Sequence, residues 1–220
     1  HDDILAPHAI YCMGKELQKT GADFAYSDEA LFRKSPKTAH VAHFKPDYAP
    51  EYLMACNYIC HLAVFRKSLF DAIGGERPEC DGAQDHDLFL RLIDAMQAKD
   101  ANAAPLHIPQ VLYYWRVHEQ SVSMDLSTKQ YAVDAAIHAV AEQLQRAGEK
   151  GQVRSNLPYQ TIYRIRYEVD KELVSVLLYD AVSPEQAQRC VDRLIQSTAW
   201  RPLELVCYEQ AVPRRCPEGV

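Results

Sequence analysis

Val174-Ser175-Val176-Leu177-Leu178-Tyr179, followed by Ser183-Pro184 and then by Leu203-Glu204-Leu205-Val206-Cys207-Tyr208, is the passage that decides the fold class. The first and last runs are short and almost continuously apolar, as strands covered on both faces are. Between them Ser183-Pro184 opens a helix, since proline is tolerated in a first helical turn. Strand, helix and strand in that order predict a β-α-β unit, the way a doubly wound α/β domain begins. Pro213, Pro217 and Gly219 follow, and the expectation is the opening of such a domain and no more.

Upstream, residues 149–173 are polar and basic and read as a linker with a short strand at 163–167. The best-defined helix spans 127–146: Ser127 and Gln130 form a capping box, Val133, Ile137, Val140 and Leu144 make one apolar stripe, and Gly148 stops it. Residues 107–117 alternate into a strand, and a helix running from Asp85 carries Leu88, Leu92 and Ala95 on one face. A short helix at 66–73 is closed by Gly74-Gly75, and residues 33–50, with prolines at 36, 46 and 50, read as a long surface loop of the kind often used in binding. Phe24-Ala25-Tyr26 predicts a short buried strand leading into a polar turn at Ser27-Asp28-Glu29. Ahead of it, a helix with Ile10, Met13 and Leu17 inward ends at Gly21.

The chain has 220 residues, 48% hydrophobic and 25% charged, the composition of an ordinary globular protein able to bury a core without staples. Lys and Arg number 24 against 30 Asp and Glu, a net charge of −6, which argues against a nucleic-acid groove. No apolar run approaches the roughly 20 residues of a membrane span. Seven cysteines, odd in number and without a C-x-x-C pair, suggest reduced, mostly buried thiols rather than a zinc knuckle or a disulfide framework. The chain opens on His1-Asp2-Asp3 without an initiator Met, so it reads as a fragment.

Four clusters carry chemistry-bearing side chains: His1-Asp2-Asp3, Tyr26-Ser27-Asp28-Glu29, Gly82-Ala83-Gln84-Asp85-His86-Asp87-Leu88, and Trp115-Arg116-Val117-His118 with Ser121 and Ser123. Each has an ordinary explanation alone. Asp2 and Asp3 can be helix-dipole partners, Asp85 and Asp87 can cap their helix, and His118 can face solvent at a strand end. Their functional readings are a hard-cation site in the first, a general base in the third, and a cation and an imidazole on one strand face in the fourth, ready for a diphosphate.

Taken in order, these residues resemble the family 2 glycosyltransferases of the GT-A fold. His1-Asp2-Asp3-Ile4-Leu5-Ala6-Pro7-His8-Ala9 is similar to that family's D-x-D-D stretch, whose first Asp would precede His1. Tyr26-Ser27-Asp28-Glu29, Lys45-Pro46-Asp47-Tyr48 and Asn57-Tyr58-Ile59-Cys60-His61 resemble the middle of the same domain. Gly82 to Leu88, with Arg91-Leu92, resembles the acceptor-side E-D motif, Gln84 standing where Glu is common. Tyr114-Trp115-Arg116-Val117-His118 and Ser121 resemble the closing W-R-x-H-x-x-S. The helix from Tyr131 and Tyr163-Arg164-Ile165-Arg166-Tyr167 are similar to the linker of tandem members, and residues 174–178 and 190–198 to the start of a second copy. The chain departs from the family in lacking the nucleotide-binding first half of domain one. It also has Tyr179-Asp180-Ala181 and Cys207-Tyr208-Glu209 at positions where binding acids or amides are usual.

The resemblance implies an α/β protein in three parts: the acceptor and metal half of a GT-A (Rossmann-like) domain at 1–123, a linker at 124–173, and the opening of a second GT-A-like domain at 174–220. It implies an inverting, metal-dependent transfer of sugar from a nucleotide-diphosphate donor to an acceptor hydroxyl, with a saccharide or lipid-linked acceptor. Asp2, Asp3 and His118 would hold Mg²⁺ or Mn²⁺, Arg116 and His118 would meet the donor diphosphate, and Asp85 would be the base. Asp87 and Arg91 would organise the helix start. Asp2 and His118 should then lie close in space. Such enzymes build bacterial surface polysaccharides, which implies a cytoplasmic location with peripheral association at the inner membrane face. The competing expectations are a catalytically incomplete structural or interaction module derived from such an enzyme, and a metal phosphohydrolase. The latter lacks a second histidine-rich motif.

Overall fold

In the computed structural model, the described residues are 2–117, 130–156, 159–170 and 172–216. They form two compact units, His1–Tyr167 and Glu168–Val220. The first is α/β with a mixed sheet, an arrangement compatible with a Rossmann-like fold. Its elements are β1 (Ile4–Leu5), α1 (Ala9–Thr20), β2 (Phe24–Phe32), β3 (Val41–His43), α2 (Pro50–Ala55), β4 (Ala63–Phe65), α3 (Lys67–Ala72), α4 (Gln84–Gln97), β5 (Leu106–Arg116), α5 (Gln130–Arg146), β6 (Gly151–Asn156) and β7 (Tyr159–Tyr167). The main sheet runs β1-β5-β2-β3, with β4 also on β2; β2 and β5 are parallel and the other pairs antiparallel.

β2 is the central strand, and eight of its nine residues are buried. The expected turn at Ser27-Asp28-Glu29 is therefore corrected: the strand continues through all three to Phe32. Polar side chains can be buried there because partners from distant segments satisfy them. On β5, the register against β2 shifts between Ser27 and Glu29, where Pro109 and its neighbours fall out of step. A proline has no N–H for the ladder, so a bulge is where a sheet tolerates it.

The main core joins Phe24 and Tyr26 of β2 to Leu53, Ile59 and Leu69, to Leu88, Phe89, Leu92, Ile93 and Met96 of α4, and to Ala136 and Val140 of α5 and Tyr163 of β7. The stretch read as a linker is thus divided. α5 and the antiparallel β6–β7 hairpin pack into the first unit, because the expected stripe of Val133, Val140 and Leu144 is buried there. The capping box at Ser127 lies outside the described residues. α1 ends at Gly21 in the left-handed conformation, as expected. Its inward residues are Ala9 and Met13, whereas Ile10, about 100° around the helix from Ala9, is exposed. All seven cysteines are free, but Cys190 and Cys216 are exposed, correcting the expectation of mostly buried thiols.

Gly82, two residues ahead of α4, packs directly against the start of α5. Its φ is +86°, and a Cβ there would lie 2.7 Å from the Ala132 Cβ and 2.8 Å from Tyr131. Gly82→Ala combines left-handed strain of about 1–2 kcal/mol with overpacking of about 1–3 kcal/mol. Urea denaturation of the variant is expected to show a loss of about 2–5 kcal/mol at unchanged m-value; a loss within ~0.5 kcal/mol would contradict this packing.

The second unit has β8 (Val174–Leu177) and β9 (Leu203–Val206) parallel in register Val174 to Leu203, joined by α6 (Pro184–Ser197). Ser183 caps α6 through Gln186 N–H, and Ala187 and Val191 pack under Leu178. The β-α-β reading therefore holds. No described helix is long and apolar enough to cross a membrane.

Candidate active site

Two neighbouring groups of side chains build the site. The first is at the edge strand. Asp3, just ahead of β1, accepts the Arg116 backbone N–H at 2.8 Å through Oδ1 and the Tyr113 hydroxyl at 2.7 Å through Oδ2. Arg116 donates from Nε to the Asp2 carbonyl at 2.9 Å, with that nitrogen 3.6 Å from the Asp2 carboxylate, and its guanidinium lies 4.5 Å over the Phe32 ring. Asp2, Asp3 and Arg116 therefore lie together at this edge. His118 lies outside the described residues, and with it the expected Asp2–His118 proximity. Among the described residues no group of three or more His, Cys, Asp or Glu could hold a metal ion. Asp3 has both oxygens engaged by protein donors, and a guanidinium stands beside Asp2. The described side chains do not by themselves complete a cation site.

The second group surrounds Glu29 in the middle of β2. Its Oε1 pairs with His43 Nδ1 at 3.0 Å and its Oε2 with His61 Nδ1 at 3.2 Å, with Lys45 Nζ at 3.8 Å. Burial alone would push this carboxyl up, but the His61 hydrogen bond, the Lys45 charge and the His43 hydrogen bond outweigh it and hold Glu29 below its ordinary range. Lys45 also donates to the Ile59 carbonyl at 2.6 Å, and burial draws its ammonium below the usual value against the pull of Glu29. Next along the strand, Asp28 accepts from Lys45 N and pairs with His107 Nε2, both at 2.9 Å. The His61 ring stacks on Tyr113 at 4.7 Å and sits 5.7 Å from Trp115.

This second group was missed in the sequence, because its members lie far apart along the chain. The available signal was the run Ala30-Leu31-Phe32 after the polar triplet, with no Gly, Pro or Asn to make a turn.

Asp85 sits in the first turn of α4, as expected. Burial raises its carboxyl above the ordinary range, with the His61 charge opposing. Burial also raises the Tyr113 hydroxyl, helped by the Asp3 hydrogen bond and by the charges of Asp3, Glu29 and Asp85. Asp87, by contrast, is fully buried and clamped. Arg77 reaches it at 2.5 and 3.1 Å and Arg91 at 2.7 Å, and Arg77 continues to Glu142 of α5. The expected structural role of Asp87 and Arg91 fits this geometry.

A cleft of about 780 Å³ opens beside these groups, lined among others by Glu29, His43, Phe44, Tyr52, Trp115 and Tyr163. Ala83 and His86, which flank Asp85, also line it. His86 donates from Nε2 to the Leu53 carbonyl at 2.7 Å, and burial lowers its imidazole to about 4. The unfolded chain binds that proton from about pH 6.5, the folded chain only near 4, so stability falls as pH drops through that window. Denaturation midpoints at pH 7 and pH 5 are expected to show the fall, up to about 3 kcal/mol at its acid end. His86→Gln should flatten it, and an equal slope in the variant would contradict this origin.

No protein-family model matches the chain. The chain is 31% identical over 208 residues to a Myxococcus xanthus protein named O-antigen biosynthesis protein RfbC, covering 93% of this chain and 16% of that protein. It is also 31% identical over 213 residues to the uncharacterized protein y4gI of Sinorhizobium fredii, covering 95% of this chain and 23% of that one. The chain therefore spans less than a quarter of either curated relative while nearly all of it is matched.

Proposed function

We propose that this chain forms the acceptor-side part of an inverting glycosyltransferase domain of GT-A architecture that works in polysaccharide synthesis. The observation that carries the reading is the joining of Asp2, Asp3 and Arg116 at the edge of the sheet, where Asp3 accepts from Tyr113 and the Arg116 N–H and Arg116 donates to Asp2; burial raises the carboxyl of Asp85 in the first turn of α4. A base near an anion-binding edge is what transfer from a nucleotide diphosphate needs. The name of the Myxococcus relative supports polysaccharide synthesis as the setting. Asp85 takes the proton of an attacking saccharide or lipid-linked hydroxyl. Arg116, pinned over Phe32, answers the negative charge of the leaving diphosphate. Asp3 holds β1 to β5 and so fixes Arg116 and Tyr113. Asp2, with His118, would be the residues to hold Mg²⁺ or Mn²⁺, whose chemistry when bound would be charge neutralisation. The setting proposed is the cytoplasm, at the inner membrane face.

The test is donor turnover by the full-length protein, with and without acceptor. Acceptor-dependent sugar transfer is the expected result. Failure to bind donor would favour the incomplete interaction module, and efficient acceptor-independent hydrolysis the phosphohydrolase.

A further inference from the structure

We propose that Tyr52 and Phe44 form an outer sugar-binding platform at the mouth of the cleft, so that the chain recognises a neutral oligosaccharide through more than its reacting sugar. The inference rests on the transfer reading above for the role of that oligosaccharide as acceptor. It adds the class of acceptor and the side chains that select it.

The rings are the first observation. Tyr52 of α2 lines the cleft and is 49% exposed. One face of its ring is taken by Tyr58, at 4.8 Å with the planes 8° apart. Tyr58 also lines the cleft but is buried, its hydroxyl accepting the Ala49 N–H at 3.0 Å and its ring packed edge-on against Tyr26. The stack therefore holds the Tyr52 ring in place while half of that residue stays in water. Phe44 lines the same cleft at 78% exposure, in an anchored loop. Lys45, next to it, donates its N–H to Asp28 at 2.9 Å and its ammonium to the Ile59 carbonyl at 2.6 Å, and the Pro46 carbonyl accepts the Tyr26 hydroxyl at 2.7 Å. Anchored backbone thus displays two large rings at one cleft, which lowers the ordering cost when a ligand covers them.

The character of the wall points to the ligand. Among the described residues its large apolar side chains are rings, Trp115 and Tyr163 besides those above, and its aliphatic ones are alanines, a proline and Val133. An isoprenoid or acyl chain would be met by branched aliphatic side chains and methionine. A sugar ring instead lays a flat C–H face on an aromatic face and turns its hydroxyls to polar groups. Charge disfavours a phosphate. The buried Glu29 carboxylate stands 3.8 Å from Lys45, whose ammonium also serves the Ile59 and His61 carbonyls, and no arginine is among the described lining residues. A diphosphate placed here would face that carboxylate. A neutral sugar would meet the Asn57 amide, the Thr161 hydroxyl and the ring of His43, whose Nδ1 is held by Glu29. At about 780 Å³ the cleft has the size of sites for drug-sized ligands, and one sugar ring would fill only part of it.

The test measures binding apart from turnover. The full-length protein is applied to an array of neutral and acidic bacterial oligosaccharides, and its affinities for the best-bound glycan, for that glycan's monosaccharides and for farnesyl diphosphate are then measured by calorimetry. A neutral oligosaccharide is expected to bind best, about tenfold or more above its monosaccharides. Tyr52→Ala and Phe44→Ala should each weaken it about two- to tenfold, the worth of one ring contact. Tyr52→Phe keeps the ring and should bind within about twofold of wild type. Tyr11→Ala, which removes an exposed ring of α1 outside the cleft, should bind as wild type does. Both platform rings are exposed, so their truncation leaves the core intact, and circular dichroism checks this. Failure to bind any neutral oligosaccharide, binding that both alanine variants leave unchanged, or tighter binding of farnesyl diphosphate overturns the platform. Binding with the expected pattern but no sugar transfer would sink the transfer reading and leave the platform standing. Transfer to a monosaccharide or a lipid phosphate that neither variant alters would do the reverse.

Discussion

Asp85→Asn in the full-length protein is expected to lower sugar transfer by about 10²- to 10⁴-fold, the usual worth of a general base, while donor binding stays within a few-fold. Asn keeps the shape and one acceptor oxygen but cannot take a proton at any pH of interest. The variant should not unfold. Burial already disfavours the charged Asp85, so replacing it with a neutral group relieves a cost rather than adding one. Single-turnover transfer and equilibrium donor binding, measured on the same preparation, separate the two effects. Transfer within tenfold of wild type would remove Asp85 from the role of base, even if the family reading stood.

Asp87→Asn should behave in the opposite way, with the main loss in stability. Asp87 is fully buried, and burial pushes its carboxyl up, but Arg77 and Arg91 hydrogen bonds and charges overcome that and hold it below the ordinary range. Removing the charge leaves two guanidiniums facing a neutral amide, and breaking a buried pair from one side costs about 3–5 kcal/mol. Against a total of about 5–15 kcal/mol for an ordinary domain, that is a large share. Urea denaturation is the check. Asp94→Asn, which removes a partly exposed partner of Arg146, should cost about 1 kcal/mol or less and serves as the control. Equal losses from the two would mean that the buried clamp is worth no more than a surface pair.

What the sequence made legible was what local pattern controls. α4, α5, β5, the Gly21 stop and the β-α-β unit follow from periodicity and punctuation within each element. Asp85 and Asp87 could be told apart for the same reason, since acids two positions apart on a helix point about 200° from each other. Ser27-Asp28-Glu29 defeated the same logic. A polar triplet looks like a turn until His107, Lys45, His43 and His61 are known to meet it, and those partners sit 14 to 79 residues away. The hairpin at 151–167 was hidden in a similar way: its charged residues suggested a linker, while Tyr163, with Val153 and Ile165 beside it, carries it into the core. The resemblance supplied the roles expected of Asp2, Asp3 and Arg116. Only coordinates show that Asp3 spends both oxygens on Tyr113 and Arg116.

The cleft wall has a consequence for how the protein is made. Ala132, Ala136 and Tyr163 close a cavity whose floor, Glu29 and Lys45, is synthesised far earlier. Until α5 and β7 have left the ribosome, the core that Ala136, Val140 and Tyr163 complete stays open on one side. Domains generally fold as units during synthesis, and here the unit is not finished at the last strand of its main sheet. Translation pausing near the start of α5 would lengthen that exposed interval, and with it the time available for the nascent chain to aggregate or to be held by a chaperone.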